Sequence, residues 1–199
     1  MRLSRFLSII FHPIFMPFLT LYLSVFMLPN TLILNYQIKI VFLIAFFFTI
    51  FFPLLNIVFF IIIKKVKTLE LKLLTERVLV LSCTAIWFII GYILLKDILF
   101  YSPLLKKIYL GSLYIMILAT IVSYRWKISL HMIGIGGSCG TFISLSLLYG
   151  NLINLIVVTV LLSGALGYSR LKEKAHNSNQ IYAGFMMGVI VMIFTIVYL

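Results

Sequence analysis

The residues best suited to chemistry lie in a short polar segment, 169–176, between two strongly hydrophobic stretches of the chain. In this segment Arg170 is separated from His176 by five residues. A guanidinium group can hold two phosphate oxygens at once, and an imidazole can act as a nucleophile or as a ligand. The segment therefore predicts a phosphate-binding site, or alternatively a set of cations that anchors the end of a membrane helix.

A second polar segment contains Ser129 and His131, one residue apart, at the start of another hydrophobic stretch. If a helix begins here, its first backbone N–H groups favour binding of an anion. The alternative is an interfacial histidine on a packed helix. A third segment contains Lys72 and Arg77, with Arg77 next to a hydrophobic stretch. Arg77 is the better candidate ligand of the two, and its alternative is a cation that reaches from the helix to the membrane surface.

The three segments together resemble the signatures of the type 2 phosphatidic acid phosphatase superfamily. The third signature is matched by Ser169-Arg170, five residues and His176. The second, Pro-Ser-Gly-His, is matched only as Ser-x-His, because the chain has Ile128, Ser129, Leu130 and His131. The first, a lysine and then Arg-Pro after six residues, is matched weakly by Lys72, Arg77 and Val78.

This resemblance implies a metal-independent lipid phosphate phosphatase that needs no cofactor. By analogy, His176 attacks phosphorus and forms a phosphohistidine, and His131 protonates the leaving group. The phosphate oxygens are then bound by four groups, Arg170, Arg77, Lys72 and Ser129. The implied substrate is a lipid phosphate or an isoprenoid diphosphate whose tail stays in the bilayer.

One position departs from the family in a way that bears on activity. Gln180 stands where the family has an aspartate that orients the nucleophilic histidine. An amide oxygen can accept the ring N–H but carries no negative charge. The chain can therefore be a slow enzyme, an enzyme that uses another carboxylate such as Glu173, or a pseudoenzyme. The last of these would bind anionic lipid headgroups without catalysis.

The elements that carry these residues are membrane helices. The chain has 199 residues, of which 64% are hydrophobic and 10% charged, and its mean hydropathy is +1.23. Spanning the hydrocarbon core takes about 20 apolar residues, and seven segments qualify, roughly 14–34, 40–63, 78–96, 104–124, 130–149, 152–168 and 180–199. We expect an all-α transmembrane bundle of six to seven spans, forming a single domain (1–199) with a phosphatase-like core at about 72–199. Glycines four residues apart, at 136 and 140 and at 184 and 188, predict close helix packing.

The net charge of +12 comes from Lys and Arg residues near the ends of the hydrophobic segments. This pattern favours membrane lipids as partners and argues against nucleic acid. Threading seven spans puts twelve of the 16 Lys and Arg residues on the side of the N-terminus, which the positive-inside rule makes cytoplasmic. Relatives that act on envelope lipids face outward, so both orientations stay open. The expected location is a bacterial inner membrane.

Overall fold

A computed structural model describes residues 2–27, 35–68, 71, 73–150 and 152–199, and these residues contain helices and no strand. The helices, in chain order, are α1 (Arg2–Ile10), α2 (Met16–Met27), α3 (Asn35–Phe46), the π-helical turn π1 (Phe47–Phe51), α4 (Phe52–Ile62), α5 (Leu74–Leu99), α6 (Pro103–Ser123), α7 (Leu130–Tyr149), α8 (Ile153–Lys172), α9 (Ser178–Ile193) and π2 (Phe194–Tyr198). The expected all-α fold class is confirmed.

Within the part of the chain that the structure describes, six helical stretches are long and apolar enough to cross a membrane: Tyr36–Ile62, Leu74–Leu99, Pro103–Ser123, Leu130–Tyr149, Ile153–Lys172 and Ser178–Tyr198. An integral membrane protein is therefore indicated, as the composition predicts. The predicted first span, 14–34, corresponds to the shorter apolar helix α2, which ends at Met27, and residues 28–34 lie outside the described part.

The long span from Tyr36 to Ile62 contains a π-helical turn just before Pro53. Proline has no N–H, so it cannot complete the α-helical hydrogen bond to the carbonyl of Thr49. The chain widens instead, and the N–H of Phe52 donates to the carbonyl of Phe47, five residues back. The hydroxyl of Thr49 donates to the Ala45 carbonyl at 2.7 Å. The helix thus crosses the membrane without a break at its proline.

Helices α7 and α9 pack with their backbones almost in contact, through the glycines whose spacing predicts it. A Cβ atom on Gly140 would lie 2.6 Å from the Val189 carbonyl oxygen, and one on Gly184 would lie 2.8 Å from that of Ser129. A Cβ on Gly188 would overlap the Ile133 carbonyl. Only glycine allows this approach. The pair is the scaffold of the site, because His131 lies in the first turn of α7 and His176 lies just before α9.

Candidate functional site

The loop before α7 is joined to the first turn of α9 at one end of the bundle. The N–H of Ser129 donates to the carbonyl of Gln180 at 3.2 Å. Ser129 is the residue that precedes α7, and its side chain is fully buried. The second polar segment of the sequence therefore meets the residues that follow the first polar segment, across the α7–α9 contact.

His176 lies in a tight turn between α8 and α9. The turn forms because Lys174 adopts a left-handed conformation, with φ of 53°, and because the N–H of Ala175 donates to the Arg170 carbonyl at 3.1 Å. The Nδ1 atom of His176 lies 3.2 Å from the carbonyl oxygen of Lys127 and 3.1 Å from Oε1 of Gln180. The turn thus directs the ring toward the loop before α7.

These contacts fix which ring nitrogen of His176 carries the hydrogen. The carbonyl of Lys127 can only accept a hydrogen bond. Oε1 of Gln180 is also an acceptor, because it receives the N–H of Asn177 at 3.2 Å in the capping box of α9. Nδ1 must therefore be the donor, and in the neutral ring Nε2 carries the lone pair. This is the tautomer that a nucleophilic Nε2 requires.

His176 is neutral over most of the pH range. Burial lowers its pKa from 6.5 to about 4, and the positive charges of Arg77 and Lys127 contribute in the same direction. The hydrogen bonds to Gln180 and Lys127 oppose the shift without cancelling it. A ring with this pKa presents its lone pair at neutral pH.

Arg77 brings the third polar segment to the loop before α7, which His176 also contacts. Its side chain is only 2% exposed, and its Nη2 donates to the Ile128 carbonyl at 2.6 Å. Two buried polar atoms here, Nε of Arg77 and Oγ of Ser129, have no hydrogen-bond partner among the described residues. Arg77 and His176 are close enough to interact electrostatically. Because Arg77 and His176 contact the carbonyls of Ile128 and Lys127, next to Ser129 in the chain, we group Arg77, Ser129 and His176 as the His176 cluster.

His131 lies beside this cluster but faces the N-terminal helix. Its Nε2 donates to the carbonyl of Ser8 in α1, at 3.1 Å. Helix α1 is held there by Ser169, whose hydroxyl donates to the Ser4 carbonyl at 2.7 Å. His131 and His176 also interact electrostatically. Helix α1 therefore covers one face of the site, and Nδ1 of His131 is the nitrogen that carries its lone pair.

His12 is a site residue that sequence reasoning missed. Its ring meets that of His131 edge to face, with centroids 5.4 Å apart, and its Nδ1 accepts the N–H of Ile14 at 3.4 Å. The pKa of His12 is lowered from 6.5 to about 4, mainly by burial and also by the positive charge of Arg170. All three histidines of the chain thus lie at one end of the bundle. The only signal for His12 was its place before a proline at the edge of a hydrophobic segment.

Arg170 lies on the His131 side of the site. It is 8% exposed and forms an ion pair with Glu173, one turn further along the chain. Its charge acts on His12 and on His131. Glu173 is thus engaged by Arg170, while Gln180 is the side chain that contacts His176.

The remaining predicted ligand, Lys72, falls outside the described residues. Within the described ranges, no group of three His, Cys, Asp or Glu side chains is placed to hold a metal ion. What the arrangement offers is a neutral imidazole, a buried guanidinium and a buried hydroxyl at a helix N-terminus, which together suit an anionic ligand. No protein-family model, no curated protein and no solved structure matches this chain.

Proposed function

We propose that the protein is a membrane phosphatase-like enzyme that hydrolyses a lipid phosphate or an isoprenoid phosphate or diphosphate through a phosphohistidine. One observation carries the proposal: two buried donors, Nε of Arg77 and the hydroxyl of Ser129, lack partners beside the nucleophilic tautomer of His176. A buried donor without a partner costs about 1–3 kcal/mol, and more if it is charged. A phosphate oxygen would satisfy both groups.

The reaction would proceed in two displacements. Nε2 of His176 attacks phosphorus, the P–N bond forms, and the P–O bond to the lipid alkoxide breaks. Arg77 and Ser129 stabilise the negative charge on the phosphoryl oxygens. Water then attacks phosphorus, the P–N bond breaks, and inorganic phosphate leaves.

Proton transfer to the leaving alkoxide, and from the attacking water, would be the role of His131. Its Nε2–H is donated to Ser8, and Nδ1 carries the lone pair of the neutral ring. His131 would therefore first take up a proton from solvent at Nδ1, pass it to the alkoxide, and then accept one from the attacking water at the same nitrogen. Arg170 lies near enough to add positive charge on this side. The N-terminus of α7 would supply further backbone donors.

A second candidate is non-catalytic binding of anionic lipid headgroups. It is favoured by Gln180, which holds His176 without supplying a negative charge, and by the pairing of Arg170 with Glu173. The same donors at Arg77 and Ser129 would bind the headgroup. The two candidates differ only in whether His176 forms a bond to phosphorus.

The experiment is release of inorganic phosphate by the purified protein in lipid nanodiscs, with a chelator present. Phosphatidic acid, lysophosphatidic acid and an isoprenyl diphosphate are the substrates, and wild type is compared with His176→Asn. Asparagine can still donate to Gln180 and Lys127 in place of Nδ1 but has no Nε2. We expect release by wild type and loss of at least about 10³-fold in the variant, the scale set by removal of a nucleophile.

Two further measurements separate the candidates. Rapid acid-free quenching of wild type with ³²P-labelled substrate should trap an alkali-stable, acid-labile label that maps to His176. If wild type releases no more phosphate than His176→Asn on every substrate, the enzyme proposal is wrong. Saturable headgroup binding that survives in His176→Asn but weakens in Arg77→Met would then support the non-catalytic candidate.

A further inference from the structure

An apolar cavity lies inside the bundle and begins at the site. It has a volume of about 100 Å³, and His12 and Leu130 line its outer end, next to His131. It continues between α2, the π1 turn, α5, α6 and α7 as far as Phe88 and Met192. The cavity therefore connects the charged end of the bundle with its hydrocarbon interior.

The hydroxyl groups along this cavity do not make it polar. Their hydrogens are already engaged. The hydroxyls that donate to the carbonyl four residues back in their own helices are those of Thr20, Thr49, Thr84 and Ser112, and Ser138 donates to Oγ1 of Thr20 at 2.6 Å. A buried water needs two to four polar partners. An apolar cavity of about 150 Å³ stays dry and binds apolar molecules such as benzene or xenon. Hydrocarbon is thus the favoured occupant.

The size and the position of the cavity together restrict the occupant. About 100 Å³ holds a stretch of one hydrocarbon chain but not two chains side by side. At the outer end of the cavity, the ring of His12 contacts the ring of His131. The positive charge of Arg170 also acts on His12. A molecule that fills the cavity would place an attached anionic group among these side chains.

We propose that this cavity is a tail site for the single hydrocarbon chain of an anionic amphiphile whose head lies at His12, His131 and the His176 cluster. The inference rests on the proposed function and deepens it, since it selects single-chain phosphates over diacyl lipids. A single acyl chain and an isoprenyl chain share this chemistry. The selection comes from the walls at Leu81, Ala119 and Gly137, which close the cavity on α5, α6 and α7.

The test is photo-crosslinking in phosphatidylcholine nanodiscs, which needs no turnover. Lysophosphatidic acid and farnesyl phosphate, each with a diazirine in its chain, are the two probes. Both probes should label residues on the cavity walls. The probe that labels more strongly shows whether the site prefers an acyl chain or an isoprenyl chain. Dioleoyl phosphatidic acid should compete at least about tenfold less well than the unlabelled single-chain lipid, because its second chain must stay outside.

Four variants test the cavity itself. Ala119→Phe and Thr84→Leu fill it and should weaken single-chain binding by about tenfold, the cost of leaving roughly two methylene groups unburied. Ala165→Phe adds the same bulk at an exposed position of α8 and should bind as wild type does. Thr84→Val keeps the volume and removes the hydroxyl, so the difference between Thr84→Leu and Thr84→Val isolates the effect of the added bulk. If Ala119→Phe does not fold, Thr84→Leu and the residues crosslinked in wild type still test the cavity.

Three results would overturn the inference. They are labelling confined to outward-facing residues such as Ile86 and Ile121, equal binding by the filled variants and wild type, and equal competition by diacyl and single-chain phosphates. The tail-site proposal and the enzyme proposal can succeed or fail independently of each other. Cavity labelling that persists in His176→Asn, together with no phosphate release from wild type, would uphold the tail site and reject the hydrolysis.

Discussion

Nδ1 of His176 lies 3.1 Å from Oε1 of Gln180, four residues further along the chain. The amide orients the ring as a carboxylate would, yet it cannot balance the positive charge of a protonated or phosphorylated imidazole. Gln180 thus supplies the orientation of the His176 ring without the negative charge, whereas a carboxylate would supply both.

Gln180→Glu should restore the charge without disturbing the geometry, because glutamate also fits this position of a capping box. We expect phosphate release to rise by about tenfold or more. Loss of the analogous charge in a serine-protease triad costs about 10⁴ in kcat. The pKa of His176 should rise at the same time, so the acidic limb of the pH–rate profile should move from about 4 toward 6.5. Initial rates measured across this pH range check both effects.

Asn179→Asp is the matched control for this change. It adds the same charge in the same turn of α9, at an exposed position beside Gln180. Equal acceleration by the two variants would mean that charge near the helix N-terminus, and not contact with His176, is what matters. An unchanged rate in Gln180→Glu would argue for the non-catalytic candidate.

Acid should destabilise the protein through its buried histidines. The pKa of His12 is about 4 in the folded protein and 6.5 as its ordinary value, so between these values the unfolded chain binds more protons. The free energy of unfolding should therefore fall as the pH is lowered from about 6.5 to about 4. At about 1.4 kcal/mol per pKa unit, His12 accounts for at most about 3.5 kcal/mol. Thermal unfolding in nonionic detergent at several pH values measures the slope.

His12→Asn should make this slope shallower, since asparagine can accept the N–H of Ile14 but does not titrate. Its stability at neutral pH should stay close to that of wild type. An identical pH slope in the two proteins would show that His12 is already protonated, or not buried, in the folded state.

Arg77→Lys should weaken binding of an anionic headgroup by about 10- to 100-fold. The charge is kept, but the planar fork that serves Ile128 and a ligand at once is lost, at about 1.5–3 kcal/mol for a charged hydrogen bond. Lys65→Met removes a whole charge from the same end of the bundle, at an exposed position. It should have a smaller effect, which falls further at high salt. Titration of nanodiscs with headgroup lipid compares them.

Gly188→Ala should destabilise the fold by about 1–3 kcal/mol, because its methyl group would overlap the Ile133 carbonyl. Gly164→Ala is the control, since a Cβ there meets nothing within 4 Å. It should be neutral, or stabilising by up to about 1 kcal/mol through helix propensity. Unfolding by denaturing detergent should rank Gly188→Ala below wild type and Gly164→Ala at or above it.

The sequence was sufficient to predict the helical membrane class and a close helix contact through the paired glycines. Continuous apolar runs have few alternatives in a bilayer, and glycines at a spacing of four have one common use there. That Arg77, Ile128 and Gln180 lie at the same end of the bundle also follows from the spacing of the polar segments, whereas their individual contacts do not. Two membrane crossings separate consecutive polar segments and return the chain to the same face.

The place of His12 and of α1 could not be predicted. Helix α1 is amphipathic, but its pattern does not identify the surface against which the helix packs. The contacts of Ser4 and Ser8 with residues about 120 to 165 positions away depend on tertiary packing. The π turn before Pro53 was missed for a similar reason. Its cause is local, but whether a proline kinks or widens a helix depends on the neighbours.

The glycine contacts between α7 and α9 also restrict how the site can move. Backbones that touch along several turns cannot slide or separate without losing many contacts together, so His131 and His176 should move as parts of one rigid body. A lipid entering from the bilayer would then have to displace other elements. Helix α1 is the best placed, because side-chain hydrogen bonds hold it over the site: the Ser169 hydroxyl contacts the Ser4 carbonyl and the Ser8 hydroxyl, and Nε2 of His131 donates to the Ser8 carbonyl. Entry of a lipid would then depend on movement of α1 and not on movement of the α7–α9 pair.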